Sequence, residues 1–277
     1  MATIKLGLIG GGVMGEALLS RLVQQDVYLP SEILVSDPQQ QRRDFLAQEY
    51  GVQVTTDNRL VATSTKEALL LAVKPQVFNN IVSELGVRDW QVANQSTILP
   101  LLISIMAGVP LKKLEAVFPG QPVVRVMPNT PAIVGVGMSA IALGKNIQSS
   151  HQELATSILA SVGQVVEVSE SLMDAVTALS GSGPGYVTIF IESLTDGGVC
   201  AGLPRAIAYQ LALQTVLGTT VLLQESGMHP AQLKDRVTSP GGTTIAGIAE
   251  LESAGFRSAI IEAVLAAKER AEELGNS

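Results

Sequence analysis

Near the amino terminus, Gly10-Gly11-Gly12-Val13-Met14-Gly15 has the residue types and spacing to hold a phosphate rather than to break a bond. The run matches G-x-G-x-x-G. In that pattern the first glycine, Gly10, makes a tight turn. The second, Gly12, lets main chain approach a pyrophosphate, and the third, Gly15, lets a helix pack close to a strand. The apolar run Leu6–Ile9 leads directly into Gly10, and an amphipathic run follows. A second strand-like run begins about 20 residues further on, the context in which the pattern means dinucleotide binding. The free N–H groups and positive dipole end of the following helix then face the phosphates. The second run ends Leu34-Val35-Ser36-Asp37-Pro38. An acid at that place accepts hydrogen bonds from the ribose hydroxyls of NAD and repels a 2′-phosphate, so Asp37 favours NADH. Ser36, by contrast, can bond a phosphate, and Arg42 and Arg43 follow within about one helical turn. Both arginines also read as solvated surface, and these residues leave the cofactor choice open.

Ala72-Val73-Lys74-Pro75 closes another apolar run. Cofactor clefts in parallel sheets lie at the carboxyl ends of strands, so this tetrapeptide is expected to face the dinucleotide. Taken alone, Lys74 reads equally as a surface lysine. Two later glycine-rich runs open helices: Ser180-Gly181-Ser182-Gly183-Pro184-Gly185-Tyr186 and Ser239-Pro240-Gly241-Gly242-Thr243-Thr244. The second offers exposed N–H groups and two threonine hydroxyls at a helix start, an arrangement suited to a carboxylate. Thr243 or Thr244 acting as a helix cap is the alternative. Acid–base groups are scarce. His151 opens a polar helix and His229 precedes Pro230 in a turn, so both read as surface or cap. No lysine of the late region has asparagine four residues on. A protonated imine needs no proton donor at the hydride step, because its nitrogen receives the electron pair. Such a site suits a C=N bond better than a C=O bond.

Composition narrows the classes further. At roughly 150 residues per domain, 277 residues imply two domains. An apolar share of 47% against 16% charged residues supports a large core and argues against disorder. The net charge of −7, with no basic cluster, argues against a nucleic-acid partner. The single cysteine, Cys200, lies in an apolar run, reads as core, and rules out a disulfide within the chain. One cysteine and two histidines supply no structural zinc site, and no metal is expected. The amino terminus lacks a signal-peptide pattern, and the low-charge stretch Gln91–Pro110 is too polar and proline-broken for a membrane span. A cytoplasmic protein with no membrane partner is therefore expected.

The elements that position these residues follow from periodicity. Strands are expected over Ile4–Ile9, Ile33–Val35, Val52–Val54, Ala68–Val73, Thr97–Ile105, Val123–Met127, Met138–Leu143 and Val165–Val168, with helices over Met14–Gln25, Pro38–Tyr50 and His151–Ser161. Strands alternating with helices predict a mostly parallel sheet covered on both faces. From Ser171 onward only helices are expected: Tyr186–Ala201, Arg205–Glu225, Ala231–Val237, Thr244–Ser253 and Phe256–Leu274. The fold class is an α/β Rossmann-type domain over 1–168 plus an all-α domain over 169–277, the boundary lying near Glu170. Two late helices are apolar almost all round, which requires burial on every side. Helices from a second chain are expected to supply that cover, giving an obligate dimer.

Taken together, these runs resemble pyrroline-5-carboxylate reductases over essentially the whole chain. The resemblance rests on Gly10–Gly15, Ala72–Pro75, Arg125-Val126-Met127-Pro128-Asn129-Thr130-Pro131, Ser180–Tyr186 and Asp235-Arg236-Val237-Thr238-Ser239-Pro240-Gly241-Gly242-Thr243-Thr244. It implies NAD(P)H-dependent reduction of 1-pyrroline-5-carboxylate, a cyclic imino acid, to L-proline, the final step of proline synthesis. It also implies a dimer with interlocked helical domains, often assembled further into decamers. By the same resemblance, Gly10, Gly12, Val13, Met14 and Gly15 hold the pyrophosphate, while Asn58 and Ala72, Val73, Lys74 and Pro75 line the cofactor. Ser239 and the Gly242–Thr244 main chain grip the substrate carboxylate, and the Thr244 hydroxyl faces the ring nitrogen as the catalytic contact. Many bacterial members read Ser-Asn-Arg after the second strand, the arginine meeting the 2′-phosphate. Here Ser36-Asp37-Pro38 stands instead, so the expectation is that NADPH is accepted with NADH competing. Two rival readings are a related β-hydroxyacid-type dehydrogenase or other imine reductase, disfavoured by the missing catalytic lysine, and a non-catalytic dinucleotide sensor, disfavoured by the Ser239–Thr244 loop.

Overall fold

A computed structural model describes residues 3–86 and 99–275. By contact density the chain divides into two compact units, one of Met1–Gly181 with Ala267–Ser277 and one of Ser182–Ala266.

In the first unit eight strands form one sheet: β1 Leu6–Ile9, β2 Ile33–Ser36, β3 Gln53–Thr55, β4 Ala68–Leu71, β5 Leu101–Ser104, β6 Val123–Met127, β7 Gly137–Leu143 and β8 Gly163–Glu167. Of the expected strand at 97–105, residues 97 and 98 lie outside the described residues. The order is β3-β2-β1-β4-β5-β6-β7-β8. All neighbours are parallel except β6 and β7, which run antiparallel. Strand alternation divides the apolar residues between two cores. Leu6, Leu8, Ile33, Val35, Leu70 and Ile103 face one; Ile9, Leu34, Leu69, Leu71 and Leu102 face the other. Burial on both faces is why these strands read as unbroken apolar runs.

Helices α1 Val13–Gln24, α2 Gln40–Tyr50 and α6 Ser149–Ala160 cover the first face with Leu18, Leu22, Leu46, Ile158 and Leu159. Helices α3 Asn58–Ser64, α4 Phe78–Leu85 and α5 Leu111–Val117 cover the second with Val61, Phe78, Ile81, Leu85 and Leu114. These last three are absent from the sequence expectation. Helix α7, Met173–Val176, continues into a π-helical turn at Thr177–Gly181.

The remaining elements are α8 Gly183–Cys200, α9 Arg205–Ser226, α10 Pro230–Arg236, α11 Thr243–Ser253 and α12 Phe256–Gly275. After β8 the described residues contain no strand, so the helical expectation holds. Helices α8 and α9 pack on each other where Gly198 faces Ala208; a Cβ on Gly198 would lie 3.0 Å from that of Ala208. Within one chain α8 buries only Thr195, and α9 only Ala208 and Ala212. Leu211, Leu213, Leu217, Val221 and Leu222 stay exposed. Cys200 is likewise exposed, which corrects its reading as core. Its apolar neighbourhood belongs to a helix that a single chain leaves uncovered. By length and composition alone, α9 is long and apolar enough to cross a membrane.

Candidate active site

The glycine turn sits at the carboxyl end of β1. There the strand order reverses, β2 lying on one side and β4 on the other, and open α/β sheets bind ligands outside such a point. Gly10 has φ +103°, and a Cβ there would come within 2.6 Å of the Ala72 carbonyl oxygen. A Cβ on Gly15 would lie 2.2 Å from the Gly10 oxygen. A Cβ on Gly12 would meet no atom within 4 Å. Gly10 and Gly15 are thus required by packing, whereas Gly12 leaves main chain bare at the start of α1. Gly12 is the N-cap of α1 and no side chain caps it, so the first N–H groups of the helix lack protein acceptors. Val13 is 65% exposed at the same place, beside half-buried Met14. This cradle fits a pyrophosphate.

The other residues expected to line the cofactor gather on the same edge. The Gly10 N–H donates to the Ser36 carbonyl at 2.9 Å and the Ala72 N–H to Ile9 at 2.9 Å. Val73 is half-buried at that edge, Lys74 is exposed, and Pro75 opens a short 3₁₀ turn. The Asp37 carboxylate is fixed by two main-chain donors: the Gly11 N–H to Oδ2 at 3.0 Å and the Gln39 N–H to Oδ1 at 2.9 Å. A carboxylate so held keeps lone pairs for further donors such as ribose hydroxyls. Ser36 is 1% exposed, and its hydroxyl donates to Asn58 Oδ1 at 2.6 Å. The Asn58 amide in turn donates to Glu84. Arg42 bonds Glu16 and the Gly11 carbonyl, and Tyr50 donates to the other Glu16 oxygen at 2.8 Å. Burial, then the hydrogen bond and charge of Glu16, push the Tyr50 phenol up to about 12. Arg42 is therefore not the solvated surface residue of the alternative reading. The Glu16–Arg42–Tyr50 cluster joins residues 26 and 34 positions apart, and no local sequence signal announces it.

The second candidate turn lies in the helical unit. Gly241 has φ +65°, a conformation that favours glycine. Gly242 is the N-cap of α11, with extended backbone and no side-chain cap. Neither Thr243 nor Thr244 caps the helix, so the cap reading of this turn does not hold. The Gly242 N–H already donates to the Ser239 carbonyl at 3.0 Å. A Cβ on Gly242 would strike Ser239 Oγ at 2.3 Å. Gly242 thus supplies room rather than a donor. The helix ladder begins with Ala246 donating to Gly242, which leaves the N–H groups of Thr243, Thr244 and Ile245 without intrahelical acceptors. Ser239 is exposed and Thr244 half-buried. The turn offers N–H groups without helix acceptors, edged by hydroxyls, an arrangement that suits an anion.

Both histidines cap helices. His151 Nδ1 accepts from the Gln148 N–H at 3.2 Å and His229 Nδ1 from the Ala231 N–H at 3.2 Å. Within the Arg125–Pro131 run, buried Arg125 bonds Glu170 at 2.7 Å and lies 3.9 Å from Asp174. Glu170 also accepts from the Leu111 N–H at 2.9 Å. Asn129 accepts from the Met138 N–H at 2.8 Å and donates to the Ser180 hydroxyl at 3.3 Å. The run is thus a brace between β6 and the segments that follow β8.

A family profile described as pyrroline-5-carboxylate reductase dimerisation matches residues 170–274, and one described as NADP oxidoreductase, coenzyme F420-dependent, matches residues 5–108. A pyrroline-5-carboxylate reductase of Synechocystis sp. is 56% identical over 273 residues, covering 99% of both chains. The chain belongs to the pyrroline-5-carboxylate reductase family. Another reductase of that name, from Methanosarcina acetivorans, is 45% identical with 99% of each chain covered. Among solved structures, Plasmodium falciparum pyrroline carboxylate reductase with NADP bound superposes with TM-score 0.86 at 33% identity, covering 99% of each chain. A Coxiella burnetii pyrroline-5-carboxylate reductase gives 0.89 at 34%, with all of each chain covered. The fold is therefore a Rossmann-type domain followed by a helical dimerisation region, and the uncovered apolar faces of α8 and α9 lie inside that region. The protein is an oxidoreductase of this family and a homo-oligomer.

Proposed function

We propose that this reductase converts 1-pyrroline-5-carboxylate to L-proline with NAD(P)H, NADPH being accepted and NADH competing. The observation that supports the reading is the uncapped start of α11, whose first N–H groups lack helix acceptors in the turn that carries Ser239 and Thr244. When bound, the cofactor supplies a hydride. Gly10, Gly12, Val13, Met14 and Gly15 hold the pyrophosphate, and Asp37 accepts from the ribose. Ser36 and Asn58, bonded to each other, shape that wall, and Ala72, Val73, Lys74 and Pro75 form the opposite one. Ser239 and the Thr243 and Thr244 N–H groups bind the substrate carboxylate, with Gly242 giving the room. Thr244 presents its hydroxyl to the ring nitrogen and fixes the ring. The imine carbon gains the hydride and the protonated nitrogen takes the C=N electron pair. No enzymic acid is required at that step, and the histidines are left to cap helices. Rate enhancement then rests on position and electrostatics.

We assign the cofactor half to 1–168 and the substrate and dimerisation half to 169–277. The further proposal is a cytoplasmic enzyme whose dimers assemble into decamers. The match of the dimerisation profile across α9 supports a protein partner, rather than lipid, for that apolar helix. Decay of the nicotinamide absorbance with pyrroline-5-carboxylate tests the activity. Thr244→Ala is expected to lower kcat about 100-fold at unchanged melting temperature, with Thr244→Ser recovering part of it. Wild-type turnover in Thr244→Ala ends the role given to that hydroxyl. Sedimentation at low micromolar concentration reads the assembly, and an active monomer there refutes it.

A further inference from the structure

We infer that Arg43 is the residue that admits a 2′-phosphorylated dinucleotide, and that Arg42 is not. The inference rests on the dinucleotide reading of the Gly10–Gly15 turn. A 2′-phosphate lies beside the end of β2, where this chain carries Asp37 and then Pro38. Proline has neither an N–H nor a polar side chain to offer there. Ser36 is buried and its hydroxyl proton is committed to Asn58, so it is no phosphate donor. Arg42 is ion-paired with Glu16 and bonded to the Gly11 carbonyl. Its charge is balanced, and its place is that of a brace under the glycine turn.

Arg43 differs from its neighbour on each count. Its Nη1 donates to the carbonyls of Asp37 at 2.8 Å and Pro38 at 2.9 Å, and its Nη2 donates to Gln40. The guanidinium is thereby held against the residue that reads the ribose. Among the described residues Arg43 forms no ion pair. Guanidinium has five N–H donors in a planar fork. The three bonds leave Nε–H and one Nη2–H to meet a phosphate. Asp37 and Arg43 thus put an acceptor for a 2′-hydroxyl and a cation for a 2′-phosphate at one place, and the site takes both reductants.

The test compares 2′,5′-ADP with 5′-AMP, which differ only in the 2′-phosphate, by calorimetric titration of the full chain. Arg43→Gln is expected to weaken 2′,5′-ADP about tenfold or more, to leave 5′-AMP within about twofold, and to flatten the salt dependence of 2′,5′-ADP binding. Arg43→Lys, which keeps the charge but not the fork, is expected to fall between. Arg42→Gln is expected to weaken both nucleotides alike. Equal losses for the two nucleotides in Arg43→Gln, no loss there, or a selective loss in Arg42→Gln would overturn the inference while leaving the dinucleotide site intact. A wild-type chain that binds neither nucleotide would overturn the dinucleotide reading and this inference with it. Melting temperatures near wild type show that the variants are folded.

Discussion

Gly12 and Gly15 belong to one motif, yet their surroundings predict opposite outcomes for the same substitution. Ala at Gly15 must open a 2.2 Å approach to the Gly10 oxygen to at least 3.0 Å, which moves α1 away from β1. Such overpacking costs about 1–3 kcal/mol, of which up to about 1 returns because alanine favours helix. The net loss of about 1–2 kcal/mol lowers the melting temperature by roughly 2–8 °C for a unit of this size. Ala at Gly12 meets nothing within 4 Å, and φ −70° is ordinary for any residue. Its smaller unfolded-state entropy gains about 0.4–1 kcal/mol, and its poorer N-cap preference costs a similar amount. Stability should stay within about 0.5 kcal/mol, or about 2 °C. The new methyl, however, would occupy the space through which main chain is proposed to reach the pyrophosphate. Loss of one charge-assisted hydrogen bond, about 1.5–3 kcal/mol, raises the Kd for NADPH about 10–100-fold. Calorimetric melting and a fluorescence titration with NADPH read the two quantities separately. Gly12→Ala should lose affinity alone, and Gly15→Ala both affinity and stability. Wild-type affinity in Gly12→Ala would show that no phosphate passes over that residue, and an unshifted melt in Gly15→Ala would refute the packing argument.

Burial holds the His151 imidazole below its ordinary value of 6.5, and protonation also ends its acceptance from Gln148. The unfolded chain binds the proton more readily, so this contribution is complete above about pH 6.5 and is lost as the pH falls through the folded value. His151→Gln should flatten the urea midpoint between about pH 7 and 5, and an unchanged slope would assign the acid sensitivity elsewhere. Arg125→Met leaves Glu170 without its buried partner. Because Glu170 is about one-third exposed, the cost should be about 2–3 kcal/mol rather than the full value for a dry pair. Arg125→Lys should recover only part, since an ammonium cannot span Glu170 and Asp174 as a guanidinium does. A melting temperature within about 1 °C of wild type in Arg125→Met would remove the brace from the account.

Much of the fold was legible because strands buried on both faces write themselves as apolar runs, and long helices as periodic ones. Helices α3 to α5 escaped because each has only about two turns and takes its stability from packing on the sheet rather than from propensity. Signals for two of them were present: Asp57 caps α3 by accepting from Leu60 at 3.0 Å, and Phe78, Ile81 and Leu85 recur at helical spacing in α4. The glycine turns were readable because backbone conformation and close approach leave few residues to choose from. The roles of Arg42 and Arg43 were not. Adjacent arginines look alike in one dimension, and Glu16, which separates them, lies 26 residues from Arg42. The exposed α9 leucines agree with the expected cover from a second chain, whereas the exposure of Cys200 was hidden for another reason. An apolar helix has the same composition whether its own chain or a second chain covers it.

The bond from Gly11 to Asp37 has an evolutionary corollary. Replacing that acid to widen reductant choice also unfastens the loop beneath it, so a lineage pays twice for the change. Arg43 ties the Asp37 and Pro38 carbonyls and Gln40 but makes no bond to the glycine turn, so its replacement leaves that turn fastened. Drift between the two nicotinamide pools should therefore be recorded on the outer rim of α2 before it reaches the strand end, and libraries aimed at redox balance gain most by starting there.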